Sequence, residues 1–72
     1  MSYRKDPRKR LAELLNNALN KRHTYAVIWV ATDRLELTGC DQRWLSCYAA
    51  WHPGCALVNI REHLATLPRV TC

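Results

Sequence analysis

The chain has 72 residues and a net charge of +5, from 11 Lys and Arg against 6 Asp and Glu, so it makes one domain without a second core. Apolar residues, 49% of the total, argue against disorder. The longest apolar run, Tyr25 to Ala31, is far short of the ~20 residues that span a bilayer, and no apolar h-region follows the charged N-terminus, so no membrane partner, no signal peptide and a cytoplasmic location are expected.

Residues 1–6 read as a flexible basic arm. Arg4, Lys5, Arg8, Lys9 and Arg10 crowd the start of the chain, and such clusters attract polyanions by releasing counterions. Asp6-Pro7 reads as a helix start, because Asp caps free amides and Pro tolerates the first helical position. Leu11, Leu14, Leu15, Ala18 and Leu19 then recur at i, i+3, i+4, i+7 and i+8, which predicts an amphipathic helix over 7–22. Lys21 and Arg22 suit the negative end of its dipole.

Tyr25 to Ala31 is β-branched and aromatic, as a buried strand requires. Thr32-Asp33 is turn chemistry. Leu35 and Leu37 alternate with Arg34, Glu36 and Thr38, the period of a strand with one wet face. A tight antiparallel hairpin is expected here.

Arg43 to Trp51 reads two ways. Asp41 would cap a helix with Trp44, Tyr48 and Trp51 on one face; alternatively the segment is a long strand carrying those aromatics. His52-Pro53-Gly54 is a turn before a β-like run, Cys55-Ala-Leu-Val-Asn-Ile60, and a second hairpin across that turn favours the strand. Asn59 and Glu62 resemble a capping box that would start a short helix, while Leu64 and Leu67 also suit a final short strand.

Read as strands, the order is one helix and then five strands at about 24–31, 34–40, 43–51, 55–61 and 63–67. The expected fold is α+β: an N-terminal amphipathic helix on a small, strongly bent five-stranded antiparallel sheet over 24–67. On this layout the chain resembles the bacterial Sm-like RNA chaperones of the Hfq family. Leu15-Asn-Asn-Ala-Leu-Asn-Lys-Arg22 is similar to that family's helix end with its basic rim. Leu35-Glu-Leu-Thr-Gly39, Asp41-Gln42 and His63-Leu-Ala-Thr-Leu-Pro68 are similar to its second strand, the approach to its third and its closing segment. The resemblance implies an Sm-like barrel, RNA binding at Asn20, Lys21 and Arg22, and assembly into a homo-oligomeric ring by strand pairing. The family's Tyr-Lys-His run falls near Ile60-Arg61-Glu62, where only the basic residue is retained. Rof, an inhibitor of the termination factor Rho, shares the general layout, so this shape serves protein partners as well.

Lys21, Arg22 and His23 with Arg61 are the candidate phosphate contacts, since Arg presents a planar fork to phosphate and Lys a point charge. Arg8, Lys9 and Arg10 would follow a nucleic-acid backbone without reading bases. Trp29 reads as core, and Trp44 and Trp51, if exposed, as a contact surface for RNA or protein. Ser46 and Cys47 have no positioned base, and Glu13, Glu36 and Glu62 form no carboxylate pair, so no enzyme activity and no cofactor are expected. Cys40, Cys47, His52 and Cys55 lack paired Cys-x-x-Cys knuckles, so free thiols are expected in place of zinc. The leading expectation is a small RNA-binding protein with single-stranded RNA as its partner. The alternative is a monomeric modulator that docks on a host protein, as Rof-like or phage-type inhibitors do.

Overall fold

The computed structural model describes residues 7–67. Helix α1 (Pro7–Asn20) is followed by strands β1 (Tyr25–Trp29) and β2 (Arg34–Gly39), helix α2 (Gln42–Ala50), strand β3 (Cys55–Asn59) and the short helix α3 (Ile60–Leu64). The three strands form one open antiparallel sheet in the order β2-β1-β3. β2 and β3 therefore run the same way on either side of β1, and α2 carries the chain across the sheet between them.

Leu11, Ala12, Leu15 and Ala18 of α1 bury against Ala26 and Ile28 of β1, with Ile60 and Leu67 closing the cluster. The buried stripe is rotated slightly from the one read in sequence: Ala12 is inside, and Leu14 is only half-buried. On the opposite face of β1, Val27 is fully buried, and Leu45 of α2 lies over Gly39. The central strand is thus covered on both sides, which explains why Ala26, Val27 and Ile28 are all buried in succession instead of alternating.

The five-stranded Sm-like barrel is not formed. The sheet has three strands and is not closed. The segment 43–51 is not a strand but lies in helix α2, with Trp51 as its C-cap: the Asp41 side chain accepts from the Trp44 amide at 3.1 Å, which satisfies one of the free N-terminal donors. Residues 63–67 form no strand either, because Asn59 accepts from the Glu62 amide at 3.2 Å and starts α3. The edge between a fourth and fifth strand, on which ring assembly rested, is absent. The His52-Pro53-Gly54 turn joins a helix to a strand, with Gly54 at φ 95 where a β-carbon would meet the Trp29 ring at 3.5 Å. The expected arm over residues 1–6 lies outside the described residues.

The β1–β2 hairpin is present, with a bulge. Val27 pairs with Leu37 and Ile28 with Leu35, which leaves Glu36 as the extra residue. Leu35 and Leu37 are therefore sent to opposite faces, whereas their alternation reads as a single face. Leu35 packs on the α1 side, and Glu36 is aimed at α2.

α1 ends at Asn20, two residues short of the sequence boundary. Arg22 adopts φ 66, its amide donates to Leu19 O at 2.8 Å, and the His23 amide donates to Ala18 O at 3.0 Å. These are the paired bonds of a Schellman cap, with Arg22 in the left-handed position usually held by glycine. His63 has its Nε2 buried with no hydrogen-bond partner among the described residues.

Candidate nucleic-acid interface

The cap at the end of α1 turns Arg22 and His23 toward the start of α3. Arg22, His23 and Arg61 line one cleft of about 280 Å³ together with Leu19, Thr24 and Asn59. No carboxylate is among these lining residues. His23 Nδ1 is held 2.7 Å from Thr38 Oγ1, and the Arg22 carbonyl accepts from the Cys40 thiol at 3.0 Å. Asn20 and Lys21 are exposed beside this cleft without lining it.

Arg8, Lys9 and Arg10 do not join this group. They sit in the first turns of α1, about 20 Å of helix away at 1.5 Å per residue. Arg8 Nη2 donates to Thr66 O at 2.6 Å and ties α1 to the chain beyond α3. Arg10 pairs with Glu13 at 3.6 Å and lines a separate groove with Asp33 and Arg34. The basic surface expected from sequence is therefore two surfaces, and the second is partly spent on internal contacts.

The α2 face carries a different constellation, built on the bulge. Glu36 accepts from Trp29 Nε1 at 2.7 Å and from the Tyr48 hydroxyl at 2.6 Å. Tyr48 stacks on His52 with ring centroids 4.1 Å apart and an interplanar angle of 15°, and Trp44 stacks on Tyr48 at 5.6 Å and 29°. His52 Nδ1 lies 2.7 Å from the Tyr48 carbonyl, which only accepts, so Nδ1 carries the proton. Trp29 meets the His52 ring edge-on at 6.5 Å. Trp29 is half-buried, whereas Trp44 is 56% and Trp51 83% exposed. Helical spacing of 44 and 48 was legible in the sequence. His52 as the third rung and Glu36 as the clamp were not, because a loop residue and a bulged residue obey no local period.

The Tyr48 bond, then the Trp29 bond, hold the Glu36 carboxyl below its usual range, with smaller help from the charges of His52 and Arg34 against some desolvation. The same bond pushes the Tyr48 hydroxyl up. Burial, then the Glu36 charge, pushes the Cys55 thiol up. A depressed carboxyl contributes stability that is complete above the unfolded value of about 4.3 and disappears as pH falls through the lower folded value. Glu36→Gln offers one acceptor oxygen to two donors, so its urea midpoint is expected to fall at neutral pH. The gap from wild type should narrow below about pH 4, as the wild-type carboxyl takes up its proton. A gap of equal size at neutral and acid pH would remove the ionic clamp.

Cys40 and Cys47 are exposed free thiols and Cys55 is a partly buried one. Among the described residues no group of three or more His, Cys, Asp or Glu gathers where a metal ion would fit. No helix among them is long and apolar enough to cross a membrane. Comparison with known protein families, with characterised proteins and with solved structures finds no match to this chain.

Proposed function

We propose that the protein is a non-enzymatic nucleic-acid-binding module that grips phosphates in the cleft of Arg22, His23 and Arg61, with RNA as the polymer. The observation that carries this reading is the convergence of two arginines from distant parts of the chain on one cleft where, among the described residues, no carboxylate joins the lining. Two guanidinium forks there suit bidentate phosphate contacts. The backbone at Arg22 supports the same reading. A non-glycine residue in the left-handed region costs on the order of 1 kcal/mol, and this strained position carries one of the two arginines that line the cleft.

The test is a titration of labelled RNA between about 50 and 200 mM salt, a range over which phosphate contacts weaken steeply. Arg61→Ala and Arg22→Gly are each expected to weaken binding and to flatten the salt slope by about 0.7 to 1. Arg22→Gly should at the same time raise folding stability by about 0.5–1 kcal/mol, because glycine relieves the left-handed strain. Opposite movement of affinity and stability in one variant separates a binding role from a structural one. Unchanged salt slopes in both variants would rule out the cleft as the phosphate site.

A further inference from the structure

We infer that the aromatic face built by α2 and the turn after it, Trp44, Tyr48 and His52 with Trp51 alongside, is a stacking platform for unpaired nucleobases, which makes the protein selective for single strands over duplex. This rests on the phosphate cleft proposed above and assigns a second, separate surface for the bases of the same strand.

The platform is pre-organised. Trp44 and Tyr48, at i and i+4, share one face of α2, and the turn beyond the helix sets His52 against Tyr48, their rings nearly parallel at 4.1 Å. Tyr48 is pinned by Glu36, and His52 is pinned by its bond to the Tyr48 carbonyl and by the Trp29 edge. Trp44 ends the row while 56% exposed, so its ring presents surface on which a further flat ring extends the stack. Trp51, 83% exposed, borders the same shallow groove of about 300 Å³, which Trp44, Cys47, Tyr48, Trp51 and His52 line. Leaving two tryptophans in water forgoes the burial that ordinarily accounts for them.

Charge identifies the occupant. None of the groove's lining residues is acidic, and Arg43 is exposed on the same helix. The nearby carboxylates are engaged: Glu36 accepts from Trp29 and Tyr48, and Asp41 accepts from the Trp44 amide. Both carboxylates stay charged, but they are turned to these donors, and Arg34 beside Glu36 and Arg43 on the helix offset them toward a polyanion. Size points the same way. The groove, about 300 Å³ between Trp44, Cys47, Tyr48, Trp51 and His52, has room for one or two bases. The two surfaces are also adjacent: Cys40 bonds the Arg22 carbonyl and stands four residues before Trp44. At 3.8 Å per residue, Trp44 is at most about 15 Å of chain from that contact, a distance a short oligonucleotide bridges.

The experiment compares three probes on the intact protein: an oligouridine of about 12 nucleotides, a size typical of one small single-strand site, an RNA duplex of equal charge, and heparin. Trp51→Ala and Trp44→Ala are each expected to weaken oligouridine binding about 5- to 100-fold, the range for loss of one base–aromatic stack, and to leave duplex and heparin binding within about two-fold. Wild-type tryptophan fluorescence should be quenched by oligouridine and much less by heparin. Trp44 stacks on Tyr48, so Trp44→Phe serves as the variant that keeps an aromatic rung, and it should retain most of the affinity if Trp44→Ala loses it. The inference is overturned if the tryptophan variants bind all three probes like wild type, or lose all three equally. It is also overturned if Trp51→Ala abolishes capture of a protein partner while oligouridine binding is intact. Loss of all three probes on Arg22→Gly and Arg61→Ala, with the tryptophans inert, would leave the phosphate cleft standing alone. Inert arginines and inert tryptophans together would remove both readings.

Discussion

Leu45→Ala is expected to destabilise the protein by about 3 kcal/mol and to free α2 from the sheet, a loss within the 2–5 kcal/mol range for truncating a buried leucine. Leu45 is the one buried residue of α2, at 2% exposure, and its methyl groups lie over Gly39. A domain of this length holds on the order of 4–11 kcal/mol in all, so the loss takes a large share of the total. Nothing else apolar in α2 is deep enough to compensate. What remains between helix and sheet is polar and peripheral: Tyr48 on Glu36, and Tyr25 on Gln42 at a long 3.4 Å. Detachment should therefore show first as faster hydrogen exchange at α2 amides and loss of near-ultraviolet dichroism from the tryptophans, with β1 amides still protected. A variant within about 1 kcal/mol of wild type would mean that α2 is held by something other than this contact.

Leu15→Ala is expected to cost a similar or larger amount, about 3–4 kcal/mol, and to act differently. Leu15 is fully buried in the cluster that joins α1, Ala26, Ile28 and Ile60. That cluster contains the central strand, so no part of the sheet survives its loss. Urea unfolding should stay a single transition with a lower midpoint, and exchange should accelerate in α1, β1 and α3 together. Comparing the two variants tests the layered arrangement directly: one leucine secures a detachable layer, and the other secures the molecule. Identical exchange patterns in both would show that the two faces of the sheet form one cooperative unit.

How much of this was legible beforehand follows from which interactions are local. The leucine row of α1, the β-branched run of β1, the Thr32-Asp33 turn and the β-run from Cys55 depend on near neighbours, and each stands in the structure within two or three residues of its expected bounds. The Asn59 cap of α3 was equally visible as one of two readings. The candidate phosphate residues were less well served. Arg22 and Arg61 share a cleft, but Lys21 and Asn20 stand beside it, and Arg8 and Arg10 bind the protein itself.

Residues 43–51 show where local information ran out. Trp44, Tyr48 and Trp51 suit a helix face and a sheet surface about equally, and Asp41 tips the balance by a single capping bond worth about 1 kcal/mol. The deciding term is tertiary. α1 covers only one face of a three-stranded sheet, and a further strand at 43–51 would leave Val27 on the other face bare. Coiled as a helix, the same residues place Leu45 over that face and leave the large aromatics at its rim.

By itself the sequence determined one leucine-faced helix, a hairpin behind it and an excess of positive charge, because spacing, branching and turn chemistry act over a few residues. Only the tertiary structure decided that a second helix closes the other side of the sheet, that a bulge turns Glu36 toward Tyr48, and that Arg22 meets Arg61. Those outcomes depend on which apolar face still needs covering once the first helix has docked, a balance no short stretch of chain contains.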